Sequence, residues 1–129
     1  MVKRYCFSIS NYFQFEKIIK LKKNKNRTIV VYIKNYLIKG FGINWLITLI
    51  KKIKNNYSKY NIKFYVDAKN DHGLSILIMR EEIDYIKLKS NKVILNKINQ
   101  IAKKNKVLLN PNFDVVETSN LKNIKNINI

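Results

Sequence analysis

Along this chain the apolar positions switch repeatedly between an extended and a helical rhythm. Arg4 to Ile9 reads as a first strand, and Ser10 or Asn11 stands where a helix cap is needed. Tyr12, Phe15, Ile18 and Ile19 then recur at helical spacing until the polar run Lys22-Lys23-Asn24-Lys25-Asn26. Thr28 to Ile33 is rich in β-branched residues and does not alternate, as in a parallel strand buried on both faces. Gly40-Phe41-Gly42 marks a loop, after which Ile43, Leu46, Ile47, Ile50 and Ile53 face one way and Lys51, Lys52 and Lys54 the other. Trp45 falls among these apolar positions and is expected in the core.

A third strand runs from Ile62 to Val66 and ends at Asp67. The loop Ala68 to Gly73 leads to a short helix with Leu74, Leu77 and Ile78. Asp84 to Leu88 is a fourth strand, and Ser90 or Asn91 caps a helix carrying Ile94, Leu95, Ile98, Ile101 and Ala102. Val107-Leu108-Leu109 is a fifth, closed by Asn110-Pro111. About five strands alternating with four helices predict an α/β domain paired in parallel through right-handed crossovers. The expected form is a three-layer sandwich over residues 1–117 with a flavodoxin-like strand order. Half of a (β/α) barrel is the alternative. From Thr118 onward the chain is Asn/Lys-rich, and a frayed tail is expected.

The 129 residues suit one domain, and 47% apolar residues suffice for a core. Cys6 has no partner in the chain, so a disulfide framework is excluded and a reducing, cytoplasmic setting is expected. Within the apolar Tyr5-Cys6-Phe7 it reads as a buried structural thiol, not a nucleophile. The basic start of the chain is followed by too short an apolar stretch for a signal peptide. No uncharged apolar run approaches the roughly 20 residues of a membrane helix, so no membrane partner is expected.

The net charge of +18 suggests nucleic acid, and from Lys17 to Lys63 there are thirteen Lys or Arg and no acid. Composition offers another cause. The chain holds 23 Lys, 19 Asn and 21 Ile against 3 Arg, the bias that an AT-rich bacterial genome imposes on any protein. The lysines are spread over several segments and are not interleaved with aromatics in one stripe. Codon bias is the preferred reading of the charge, and it demotes nucleic acid as a partner.

In parallel α/β sheets ligands bind beyond the carboxyl ends of the strands. That rule selects Ser10 after the first strand, Asn35 after the second, Lys89 after the fourth and Asn110 after the fifth. After the third strand come Asp67, Asn70, Asp71, His72 and Gly73, the densest polar cluster in the chain. Asp67 and Asp71 could face a cation, or Asp71 could orient His72 as a base. Helix capping accounts for Asn70, Asp71 and Gly73 equally well, and it is the preferred reading. A lone His without a second ligand at metal spacing points to no metal centre. Three glycines, Gly40, Gly42 and Gly73, compose no phosphate loop, although Gly40-Phe41-Gly42 could offer an anion its N–H groups. No cofactor is expected. A receiver domain would need an acidic pair after its first strand, where this chain has Ser8-Ile9-Ser10-Asn11.

The stretch from Phe64 to Arg80 resembles a strand–loop–helix unit of small uncharacterised α/β proteins of alphaproteobacteria. There an Asp-ended strand is followed by a short Asp- and Gly-bearing loop and a "GLAL…ALR" helix. One βα unit of aldolase-type barrels is similar in a looser way. The likeness is close over this stretch and only rhythmic from Tyr5 to Val116, and Glu81-Glu82-Ile83 stands where such helices often end in glycine. It implies an α/β fold and transfers no catalytic residue.

Three functional classes follow. A non-catalytic binding or regulatory module is favoured, because no complete catalytic constellation is present. The second is an enzyme, or the remnant of one, acting on a small anionic metabolite through Asp67, Asp71, His72 and Lys89. The third is a nucleic-acid-associated basic protein. A homodimer fits any of them.

Overall fold

The computed structural model describes residues 4–21 and 27–119. Its strands are β1 (Tyr5–Ser8), β2 (Ile29–Ile33), β3 (Ile62–Asp67), β4 (Tyr85–Lys87), β5 (Leu108–Leu109) and β6 (Asp114–Glu117). The helices are α1 (Tyr12–Leu21), α2 (Asn35–Phe41), α3 (Ile43–Asn56), α4 (His72–Met79) and α5 (Lys92–Lys104). The α/β class holds: all six strands form one sheet, every pairing parallel. The non-alternating β2 is buried along its whole length and pairs with β1 on one side and β3 on the other.

Three expectations need correction. The strand order is β5-β4-β3-β2-β1-β6, not flavodoxin-like. A flavodoxin-like chain reverses direction after its first two strands, whereas here β1 to β5 lie side by side in sequence, like a segment of a (β/α) barrel. A fifth helix, α2, occupies Asn35 to Phe41, where a strand end and a loop were expected. Only Leu37 and Ile38 supply its buried apolar contacts, too few to show as a period, and Gly42 at φ +93° breaks it from α3. The sixth strand, β6, also escapes the hydrophobic pattern, because its two valines are flanked by Asp114 and Glu117. It is held by register, with Cys6 opposite Val115 and Phe7 opposite Val116.

This order explains how the core is divided. Right-handed crossovers that always step the same way put their helices on one face of the sheet. Phe7, Val31, Ile33, Phe64, Val66 and Ile86 pack there against Phe15 and Ile18 of α1, Leu46 and Ile53 of α3, Ile78 of α4 and Ile98 of α5. The opposite face carries a smaller cluster of Cys6, Val30, Tyr32 and Tyr65, with Tyr85 and Phe113 against it. No buried residue of a described helix belongs to that second cluster.

β5 and β6 lie at opposite edges of the sheet, yet only residues 110–113 join them. Six flat strands would hold their edges about 24 Å apart at ~4.8 Å per strand. The five Cα steps from Leu109 to Asp114 span at most about 18 Å. The sheet is therefore curled, and residues 110–113 strap its concave face. Phe113 lies with its ring centroid 5.8 Å from that of Tyr65 and 5.1 Å from that of Tyr85. Arg4 covers the Phe113 ring at 5.0 Å.

Asn110 fixes the start of the strap. Its φ of +51° is left-handed, which Asn tolerates better than most residues. From there its Oδ1 accepts from Leu88 N–H at 2.8 Å and its Nδ2 donates to Leu88 C=O at 3.0 Å. Thr118, the first residue of the expected tail, is buried, and its hydroxyl donates to Ser8 C=O at 2.6 Å. Residues 120–129, the rest of that expected tail, lie outside the described residues, as does the polar turn at 22–26. Among the described residues no helix is long and apolar enough to cross a membrane.

Candidate functional site

Because side chains alternate along a strand, the register fixes which groups share the concave face. Tyr32 lies opposite Tyr65, and Tyr65 opposite Tyr85. One step on, Asp67 lies opposite Lys87. Ser8 and Glu117 pair at the β1–β6 edge. The lower part of this face is thus aromatic, and its carboxyl end is charged.

Two open cavities occupy that end, and both are lined by Tyr32 and Val115. The first, of about 480 Å³, lies under the strap among Tyr65, Phe113, Leu95, Lys87 and Lys89. The second, of about 560 Å³, is bounded by Lys34, Asn35, Lys39, Asp67, Lys69 and Glu117.

Asp67 organises the second cavity. Its Oδ2 accepts from the Tyr32 hydroxyl at 3.1 Å and its Oδ1 from Lys69 N–H at 2.8 Å. Asn35 Nδ2 donates to the Asp67 carbonyl at 3.0 Å, tying the start of α2 to the end of β3. Lys69 holds a left-handed φ of +56° at this turn. Lys34 reaches Glu117 at 2.6 Å. Lys39, Lys69, Lys87 and Lys89 have no ion-pair partner among the described residues.

Burial, then the charge of Asp67 and the hydrogen bond to it, push the Tyr32 phenol well above its ordinary value. Tyr65 is pushed up to about 12, chiefly by burial. Both phenols stay protonated at neutral pH. Burial likewise raises the Cys6 thiol to about 12, against the opposing pull of Lys87, so it is a poor nucleophile as expected.

The sequence-selected residues separate into three groups. Asp67 and Asn35 meet in the second cavity, while Lys89 and Asn110 line the first. Asp71 caps α4, its Oδ1 accepting from Leu74 N–H at 3.0 Å. His72 Nε2 sits 2.9 Å from Ser90 Oγ, and Asn70 is exposed. A Cβ on Gly73 would meet only Asp71 Oδ1, at 3.7 Å. The backbone N–H of Ser10 donates to Gln14 Oε1 at 2.7 Å, and Asn11 accepts from Gln14 N–H at 2.9 Å. Asp71, His72, Gly73, Asn70 and Ser10 line neither cavity. Trp45 is half-buried, with its ring 5.2 Å from that of exposed Phe41.

Sequence reasoning missed Tyr32, Tyr65, Lys87 and Phe113. Tyr32 and Tyr65 sit inside apolar runs that read as plain core, Lys87 lies within the stretch read as the fourth strand and not at its end, and Phe113 lies in a segment read as loop. The one available signal was the tyrosine recurring in successive strands, at 32, 65 and 85. Among the described residues no group of three or more His, Cys, Asp or Glu could hold a metal ion. No protein-family model matches the chain, and no curated protein is significantly similar to it.

Proposed function

We propose that this protein is a non-catalytic binding module that takes a small anionic ligand on the concave face of its sheet. The observation that carries this reading is the pair of adjoining cavities at the carboxyl ends of the strands, the usual ligand position in parallel α/β sheets. Lys34, Lys39, Lys69, Lys87 and Lys89 border them against two acids. Glu117 is paired with Lys34, and Asp67 accepts from Tyr32 and Lys69 N–H. Cations converging on a concavity with aromatic walls focus a positive potential on a ligand inside it.

The same bonds argue against acid–base chemistry. Asp67 is engaged by Tyr32 in the second cavity, and His72, which lines neither cavity, contacts Ser90 at the wall of the first. A general base must reach the proton it removes, and these two groups do not face one bound substrate together. Titration of 15N-labelled protein with inorganic phosphate and pyrophosphate tests the reading. Saturable shifts are expected at Tyr32, Asn35, Lys69 and Lys87, and they should weaken as salt is raised. Shifts absent there, or confined to helix-surface lysines on adding an RNA oligomer, would replace this function with nucleic-acid association.

A further inference from the structure

The two cavities differ in chemistry, and their difference specifies a ligand. Under the strap Tyr32, Tyr65 and Phe113 form an aromatic wall, with Tyr85 packed behind it. Tyr32 and Tyr65 meet edge to face at 4.9 Å between centroids, Tyr65 and Tyr85 at 6.1 Å, and Phe113 joins the last two. Leu95 of α5 and Val115 of β6 add apolar lining there. Val115 is 45% exposed and is therefore available to a ligand.

Lys87 and Lys89 also line this cavity with no acid beside them, and beyond Tyr32 the second cavity carries charge of both signs. Lys34 is neutralised by Glu117, and the Asp67 carboxylate is occupied by a phenol and a backbone N–H. What remains uncompensated around that cavity is the Lys39 and Lys69 ammonium groups. Lys87 stands opposite Asp67 in register and lines the aromatic cavity, at the boundary between the two.

A simple inorganic anion would use the lysines and leave the aromatic wall to water. A neutral ring would do the reverse. We infer that the ligand joins the two: a planar aromatic ring carrying a phosphate or carboxylate. The ring lies against Tyr65, Phe113 and Val115, and the anion reaches past Tyr32 to Lys39 and Lys69. Ring–aromatic contact adds affinity that an anion alone lacks, and the two uncompensated lysines supply the charge. This inference rests on the binding reading above and names the ligand class for that site.

Calorimetry on the full chain with inorganic phosphate, phenyl phosphate, adenosine 5′-monophosphate and adenosine tests it. Both ring-bearing phosphates are expected to bind about tenfold or more tightly than inorganic phosphate, as stacking of one ring allows. Phe113→Leu should bring that ratio close to one, with circular dichroism confirming the fold. The double variant Lys39→Ala, Lys69→Ala should weaken all the anions together. Adenosine binding as tightly as its monophosphate would overturn the inference, because the lysines would then contribute nothing. Equal affinity for inorganic and ring-bearing phosphate would overturn it too, while leaving the anion-binding reading intact. If no anion binds, both fall. Tighter binding of the nucleotide than of phenyl phosphate assigns the ring to a nucleobase, and the reverse order assigns it to a simple aryl acid.

Discussion

Phe64 and Tyr65 are neighbours in one strand and lead different lives. Phe64 points to the helix-covered face and is fully buried among aliphatic side chains. Tyr65 points to the concave face, among other aromatics and beside a cavity. The same contrast runs through the sheet. Ile29, Val31, Ile33, Val66 and Ile86 on one side are fully buried hydrocarbon. On the other side Tyr32 ends at Asp67, Lys63 rides 5.9 Å above the Tyr85 ring, and Lys87 is exposed. Hydrocarbon closed off from water stabilises the fold in proportion to its area. Aromatic rings with polar tips stay useful to a ligand, because one end is apolar and the other wet. One sheet thus gives stability on one face and, on the proposed function, recognition on the other.

The largest test of this division is a pair of neighbouring substitutions. Phe64→Ala should cost about 3–5 kcal/mol, since a buried ring leaves a cavity among residues that cannot collapse fully. Tyr65→Leu should cost about 1 kcal/mol, a swap of similar apolar bulk that forfeits ring–ring contacts. Urea unfolding of both variants measures the gap, and equal losses would break the division.

A middle-sized effect is expected at Asn110. Changing Asn110→Ala removes both bonds to Leu88 and leaves a Cβ residue at φ +51°, at a cost of about 1–3 kcal/mol. Because Asn110 starts the strap, the Phe113 ring should lose its fixed NMR environment while α1 and α3 keep theirs. If helix signals change as much as those of Phe113, the strap is not a separate element of the concave face.

The smallest change expected is at Asp71. Loss of its cap on α4 in Asp71→Ala should cost about 1 kcal/mol. Affinity for phosphate should not move, since Asp71 lines neither cavity. A loss of affinity there would return the loop Asn70 to Gly73 to the site.

Much of the local structure was legible because its causes are local. The caps at Asn11, Asp71 and Asn91 are each made by the residue type that the sequence offered for the purpose. The β-branched run of β2 announced burial on both faces, and the amphipathic patterns located α1, α3 and α5. Asp67 and Asn35 were selected by a rule about strand ends, and the rule placed them together without knowing their partners. Asp71 and His72 were conspicuous for their chemistry, but one is spent on a cap and the other on Ser90. Tyr32 carried only the weak signal of a tyrosine recurring across strands, since an aromatic in an apolar run looks the same whether it faces a helix or a cavity, and Phe113 in its loop carried none.

The chain by itself determined the alternation of strands and helices, where most of them begin, and that the strands pair in parallel. These follow from the spacing of apolar residues, from capping chemistry and from the length of each connection. Strand order was decided only in three dimensions. Residues 110–113 are too short to cross a flat sheet, so β6 can pair with β1 only if the sheet curls. That curl gathers Tyr32, Tyr65 and Phe113 into one wall and brings Val115 of β6 beside lysines from α2, β4 and the turns after β3 and β4. Contacts between residues so far apart in the chain depend on how every element is stacked, and no local pattern encodes that.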